Sequence, residues 1–69
     1  MSVPVEKELF YAAYRGRVSE VLSLLRDHPE INVNWTNDRG WTALHLASEL
    51  GHAEVVKLLL AHPDINVRM

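Results

Sequence analysis

Apolar residues along this chain recur at helical spacing in short runs, each ended by glycine or proline. Leu9, Ala12 and Ala13 fall at i, i+3 and i+4, which is one face of a helix. Pro4 stands where that helix can begin, because a first turn has no use for the missing N–H. Glu6 and Glu8 follow and suit the positive end of a helix dipole. Gly16 predicts its end, since glycine takes a left-handed backbone without steric cost. Val21, Leu22, Leu24 and Leu25 mark a second helix, with Ser19 expected as its cap. Pro29 forbids its continuation and pushes His28 out of helical geometry.

The same order then returns. Thr42 is expected to cap a third helix, Leu44, Leu46 and Ala47 supply its apolar contacts, and Gly51 closes it. Val55, Val56, Leu58, Leu59 and Leu60 make a fourth helix apolar nearly all round, which predicts burial on more than one side. Pro63 stops it after His62. Between the halves, Asn32 to Gly40 is rich in Asn, Asp and Gly, as a tight turn or finger-like hairpin requires. The repetition is literal in places. His28-Pro29-Glu30-Ile31-Asn32-Val33 answers to His62-Pro63-Asp64-Ile65-Asn66-Val67, and Gly16 answers to Gly51. The first offset is 34 residues and the second 35, so the first unit holds one extra residue between its glycine and its second apolar run. Residues 1–69 read as one module of two units, about 5–34 and 35–69.

The stretch Gly40-Trp41-Thr42-Ala43-Leu44-His45-Leu46-Ala47 resembles the Gly-x-Thr-Pro-Leu-His-x-Ala pattern of ankyrin repeats. Gly51 to Leu60 is similar to that family's second helix. Three departures stand out. Ala43 replaces the usual proline, the His-Pro-Asp/Glu-Ile-Asn-Val linker replaces a shorter Gly-Ala-Asp-Val, and the first unit lacks the Thr-Pro-Leu-His element. The resemblance implies an all-α solenoid of antiparallel helix pairs with a hairpin-like finger between repeats. It implies a protein–protein interaction scaffold, or alternatively a structural or N-terminal capping segment of a longer array. Thr42, Leu44, His45, Ala47 and Gly51 would be its structural motif, with His45 bonded to Thr42 and nearby backbone. The family's contact surfaces are the finger tips and the concave face of each first helix. Position by position, these map to Thr36, Asp38, Arg39, Trp41, Glu49 and Leu50, and to Tyr14 and Arg15 in the first unit. Trp35, beside the inter-unit turn, is a weaker candidate for contact, and Phe10 is expected in the core.

Composition narrows the chemistry. Seven basic and nine acidic residues leave a formal charge of −2, with no basic run to hold a phosphate backbone, so no nucleic-acid partner is expected. There is no cysteine, which excludes disulfides and thiolate metal sites. The longest purely apolar run is Leu58-Leu59-Leu60-Ala61, far short of the ~20 residues that span a bilayer. No membrane partner and an intracellular setting, cytoplasmic or nuclear, are therefore expected. The four histidines lack convergent ligand spacing, and Gly51 separates His45 from His52, so no metal and no cofactor is expected. His28 and His62 are expected to meet the last helix carbonyls or water. Ser19, Ser23 and Ser48 lack a nucleophile elbow and the acids are dispersed, which argues against an enzyme.

The outer face near Val56, Leu59 and Leu60 has no following unit to cover it. Repeats bury their apolar faces against neighbours. Two expectations follow: the chain is the N-terminal piece of a longer array, or that face pairs with another copy.

Overall fold

The computed structural model describes residues 3–67, which form four helices and contain no strand. The helices are α1 (Val5–Tyr14), α2 (Val18–Asp27), α3 (Ala43–Leu50) and α4 (Ala53–Leu60). Met1, Ser2, Arg68 and Met69 lie outside the described residues. Each first helix packs on its own second helix, and the two pairs stack with α1 on α3 and α2 on α4. The sequence repeat thus becomes two layers of helices, each layer taking one helix per unit.

The interior joins all four helices and the linker. α1 gives Leu9, Ala12 and Ala13, α2 gives Val21, and α3 gives Ala43, Leu44 and Ala47. Val55 and Leu59 of α4 complete it with Ile31 and Val33 of the linker. Four of these are alanines on α1 and α3, and small side chains let helix axes approach closely. Leu9 is 2% exposed and Leu59 fully covered. Burial of a leucine on that scale contributes roughly 1.5–3 kcal/mol.

The helix ends follow local chemistry. The Pro4 carbonyl accepts N–H bonds from Lys7 (2.9 Å) and Glu8 (3.2 Å) and opens α1. Gly16 and Gly51 close α1 and α3 with φ of +67° and +76°. Ser19 does not cap α2. Arg17 is the N-cap residue, without a side-chain bond, and Ser19 sits exposed inside the first turn. The histidines before the prolines meet the last helix carbonyls through their backbone, the His28 N–H donating to Leu24 at 3.0 Å and the His62 N–H to Leu59 at 3.1 Å. The His62 ring in addition accepts the backbone N–H of Asp64 at Nδ1, at 3.1 Å. His28 is half-buried, with Nδ1 3.8 Å from a Glu30 carboxylate oxygen.

α4 is not uniformly enclosed. Successive helix residues turn by a little more than a quarter circle, so Leu59 points into the core while Leu60 is half-exposed. Val56 and Leu58 are half-buried against the core. The uncovered face read from Val56, Leu59 and Leu60 therefore does not include Leu59. In α2, likewise, Leu22 faces solvent while Val21 is buried and Leu24 and Leu25 pack on the core.

Candidate functional site: a groove between the first helix and the finger

One side of the groove is a loop organised by a single asparagine. The Asn37 Oδ1 accepts the backbone N–H groups of Arg39 and Trp41, both at 3.0 Å. Its own N–H donates to the Trp41 carbonyl at 3.0 Å, and its carbonyl accepts from Gly40 at 3.0 Å. A short amide side chain that bonds backbone two residues ahead is what holds such a turn. The finger is hairpin-like in this pairing across Asn37 and Trp41, though no strand is formed. Beyond it, the Thr42 Oγ1 accepts the backbone N–H of His45 at 3.0 Å and caps α3. The His45 ring lies against the Trp41 ring, with centroids 4.1 Å apart and planes tilted by 39°. Leu44 and Ala47 are buried beneath, and Gly51 ends the helix.

The other side is a stripe of α1. Lys7, Tyr11 and Tyr14 fall at i, i+4 and i+7, opposite the buried Leu9–Ala13 face. Tyr11 and Tyr14 are each about half exposed, at 48% and 51%. Phe10 is buried to 8% exposure, as expected of a core residue, yet its edge borders the groove. It meets Tyr11 edge-on at 5.8 Å and Trp35 at 5.8 Å, so the aromatic wall continues from helix to linker.

Two adjoining hollows of about 260 Å³ each lie between these sides. Phe10, Tyr11, Asn37 and Arg39 border both. The first hollow adds Tyr14, Trp41 and Leu46 and is mainly apolar. The second adds Lys7, Trp35 and Asp38 and carries the charge. Of the residues mapped from sequence, Tyr14, Asp38, Arg39 and Trp41 come together here. Thr36 is exposed on the approach to the finger and borders neither hollow. Arg15, Glu49 and Leu50 are exposed at the C-terminal ends of α1 and α3 and also stand apart from both. Lys7, Tyr11, Asn37 and Leu46 were absent from the mapped set. The helical stripe carries the signal for Lys7 and Tyr11. The local signal for Asn37 is its place in the Asn-, Asp- and Gly-rich turn, three residues before Gly40.

Two ties join the first unit to the second. His52 donates Nε2–H to the Tyr14 carbonyl at 3.0 Å, and its ring covers Gly16. This fixes the end of α1, and with it Tyr14, against the second unit. Asn34 bridges the two linkers, accepting from the Asn66 N–H at 2.7 Å and donating Nδ2–H to the Asp64 carbonyl at 2.8 Å. Among the described residues, no group of three His, Cys, Asp or Glu could hold a metal ion. None of the helices described is long and apolar enough to cross a membrane.

A family model described as ankyrin repeats (3 copies) matches residues 6–69. The described residues hold two helix pairs, against the three copies that the model spans. No solved structure matches the chain significantly. Helix pairs stacked in two layers, a finger pinned ahead of a Thr-capped helix, and a family match over nearly the whole length agree: the chain belongs to the ankyrin-repeat family, whose members are in general protein–protein interaction modules.

Proposed function

We propose that this chain binds another protein through the groove between α1 and the finger. The supporting observation is the line of partly exposed aromatic rings, Tyr11, Tyr14, Trp35 and Trp41, set against a loop already fixed by Asn37. Tyr and Trp supply much of the energy at protein interfaces. A loop held by its own hydrogen bonds loses little further freedom on binding. Thr36, Arg15, Glu49 and Leu50 would extend the contact beyond the hollows, and the division into units 5–34 and 35–69 places one first helix in each. Catalysis has no part in this reading.

The test is simultaneous replacement of Asp38, Arg39 and Trp41 by alanine, with helix content checked by circular dichroism. A defined partner should lose at least about tenfold in affinity, the loss of one or more contacts of hot-spot size. A folded variant that binds that partner unchanged would rule the surface out.

A second reading, a structural segment that closes one side of an array, has one observation in its favour. Asn32 and Asn66 are equivalent, yet their N–H groups find different acceptors. Asn66 donates to Asn34, whereas Asn32 donates to the Glu6 carboxylate of α1 at 3.1 Å. In this reading Glu6 stands in for a linker asparagine of a neighbouring unit. Hydrogen exchange at the Asn32 amide should quicken in Glu6→Ala, and unchanged protection would remove the support.

A further inference from the structure

The two hollows differ in chemistry, and that difference specifies a kind of partner. Each is about 260 Å³, smaller than the roughly 300–1,000 Å³ of pockets that hold whole small molecules. Each suits one side chain. They share a border of four residues, so their occupants must be close along a chain. In an extended peptide, residues i and i+2 face the same way about 7 Å apart.

Charge then selects among peptides. The groove holds two cations, Lys7 and Arg39, and one anion, Asp38. It is thus locally cationic on a chain whose formal charge is −2. The nearby acids of α1 lie outside this balance: neither Glu6 nor Glu8 borders either hollow, and the Glu6 carboxylate is turned to the Asn32 N–H. Aromatic faces attract cations as well, so a basic peptide is the competing guest. Arg39 borders both hollows, however, and a second cation placed beside it meets like-charge repulsion.

We propose that the groove selects an extended acidic segment of a partner protein, with an apolar side chain in the Tyr14–Trp41 hollow and a carboxylate two residues away between Lys7 and Arg39. This rests on the groove being the docking surface, as argued above. The contacts face solvent, so each charge pair contributes at most about fivefold in affinity and weakens as salt rises.

The chain's two tryptophans border the two hollows, Trp35 the second and Trp41 the first. Their fluorescence therefore reports on this groove. The full chain is titrated with three blocked pentapeptides that place the central apolar residue two positions from each outer one: Glu-Ser-Phe-Ser-Glu, Gln-Ser-Phe-Ser-Gln and Lys-Ser-Phe-Ser-Lys. The glutamate peptide should bind tightest, about tenfold ahead of the lysine peptide, with a lead that shrinks as salt is raised. Lys7→Gln and Arg39→Gln should each weaken it several-fold, while Asp38→Asn should tighten it by up to about fivefold. Side-chain neutralisation at these exposed places leaves the backbone bonds of the finger in place, and circular dichroism verifies folding. Equal binding of all three peptides, tighter binding of the lysine peptide, or indifference to the three charge variants would overturn acid selection and leave a docking groove of another preference. Failure of every peptide to perturb the tryptophans at millimolar concentration would overturn both the selection and the docking reading.

Discussion

Gly16 and Gly51 end the first helices of the two units with nearly the same backbone, φ +67° and +76°. Their surroundings are opposite. A Cβ placed on Gly16 would lie 2.7 Å from His52 Nδ1, whereas one on Gly51 would have nothing within 4 Å. The reason is direction along the stack. His52 follows Gly51, and it reaches back over Gly16 to the Tyr14 carbonyl. In the first unit the equivalent residue is Arg17, exposed and 3.9 Å from Glu20. The residue after the glycine is thus where one unit grips the one before it. The glycine itself serves as a shelf only when a neighbour's ring lies on it.

The largest expected effect comes from breaking that difference. Alanine at either glycine incurs the left-handed strain of an L-residue, roughly 1–2 kcal/mol. Gly16→Ala must also displace the His52 ring and its bond to Tyr14, and overpacking of this kind costs roughly 1–3 kcal/mol more. Urea unfolding should therefore show Gly16→Ala well below Gly51→Ala in stability. Equal losses would mean that His52 does not constrain Gly16. The double variant Gly16→Ala/His52→Ala sharpens the comparison. With the ring gone the clash disappears, so the two losses should sum to more than the double variant shows.

These differences also mark how much of the molecule could be read from sequence. Periodicity with Gly and Pro punctuation located all four helices, and Thr42 was visible as a cap because it stands just ahead of an apolar helical run. Ser19 is not the cap because α2 begins before the first residue of its apolar run, with Arg17 at the N-cap. Both second helices in fact begin two residues after their glycine, at Val18 and Ala53. The extra residue of the first unit lies further along, where α2 is ten residues long and α4 eight. For the groove, one-to-one mapping onto repeat positions reached Tyr14, Asp38, Arg39 and Trp41. It also picked Arg15, Glu49 and Leu50, which lie at helix ends away from the hollows. His52 on Gly16 depends on a contact formed only once the chain has folded, and no residue pattern announces it, whereas the bonds of Asn37 are local and belong to the Asn-rich turn that the sequence predicts.

A smaller effect is expected at the linkers, where the two units again differ. Asn34 makes two bonds to the second linker, and Glu6 makes one to the first. Asn34→Ala should cost about 1–2 kcal/mol, the net worth of one to two hydrogen bonds at a half-exposed place. The Asn66 amide should then lose protection from hydrogen exchange while Asn32 keeps its own. Equal exposure of both amides would mean that the linkers are held as one unit, and that the Glu6 and Asn34 ties are not separable.

The smallest difference concerns how the helices begin. α3 starts at a threonine whose hydroxyl accepts a backbone N–H, whereas α1, α2 and α4 start without any side-chain cap. Thr42→Ala should cost about 1 kcal/mol, as removal of such a cap generally does. Ser19→Ala should change stability by less than about 0.5 kcal/mol, since its exposed side chain caps nothing. Thr42→Ser separates the hydroxyl from the methyl: it keeps the acceptor for the His45 N–H and should keep most of the stability. A loss at Ser19 as large as that at Thr42 would contradict the placement of α2's start at Val18. A Thr42→Ser loss equal to that of Thr42→Ala would assign the effect to packing of the methyl rather than to the cap. The distinction bears on the groove, because Thr42 directly follows Trp41. A frayed start to α3 would loosen the ring that lines the apolar hollow, so binding should fall further than stability alone in Thr42→Ala and hold in Thr42→Ser.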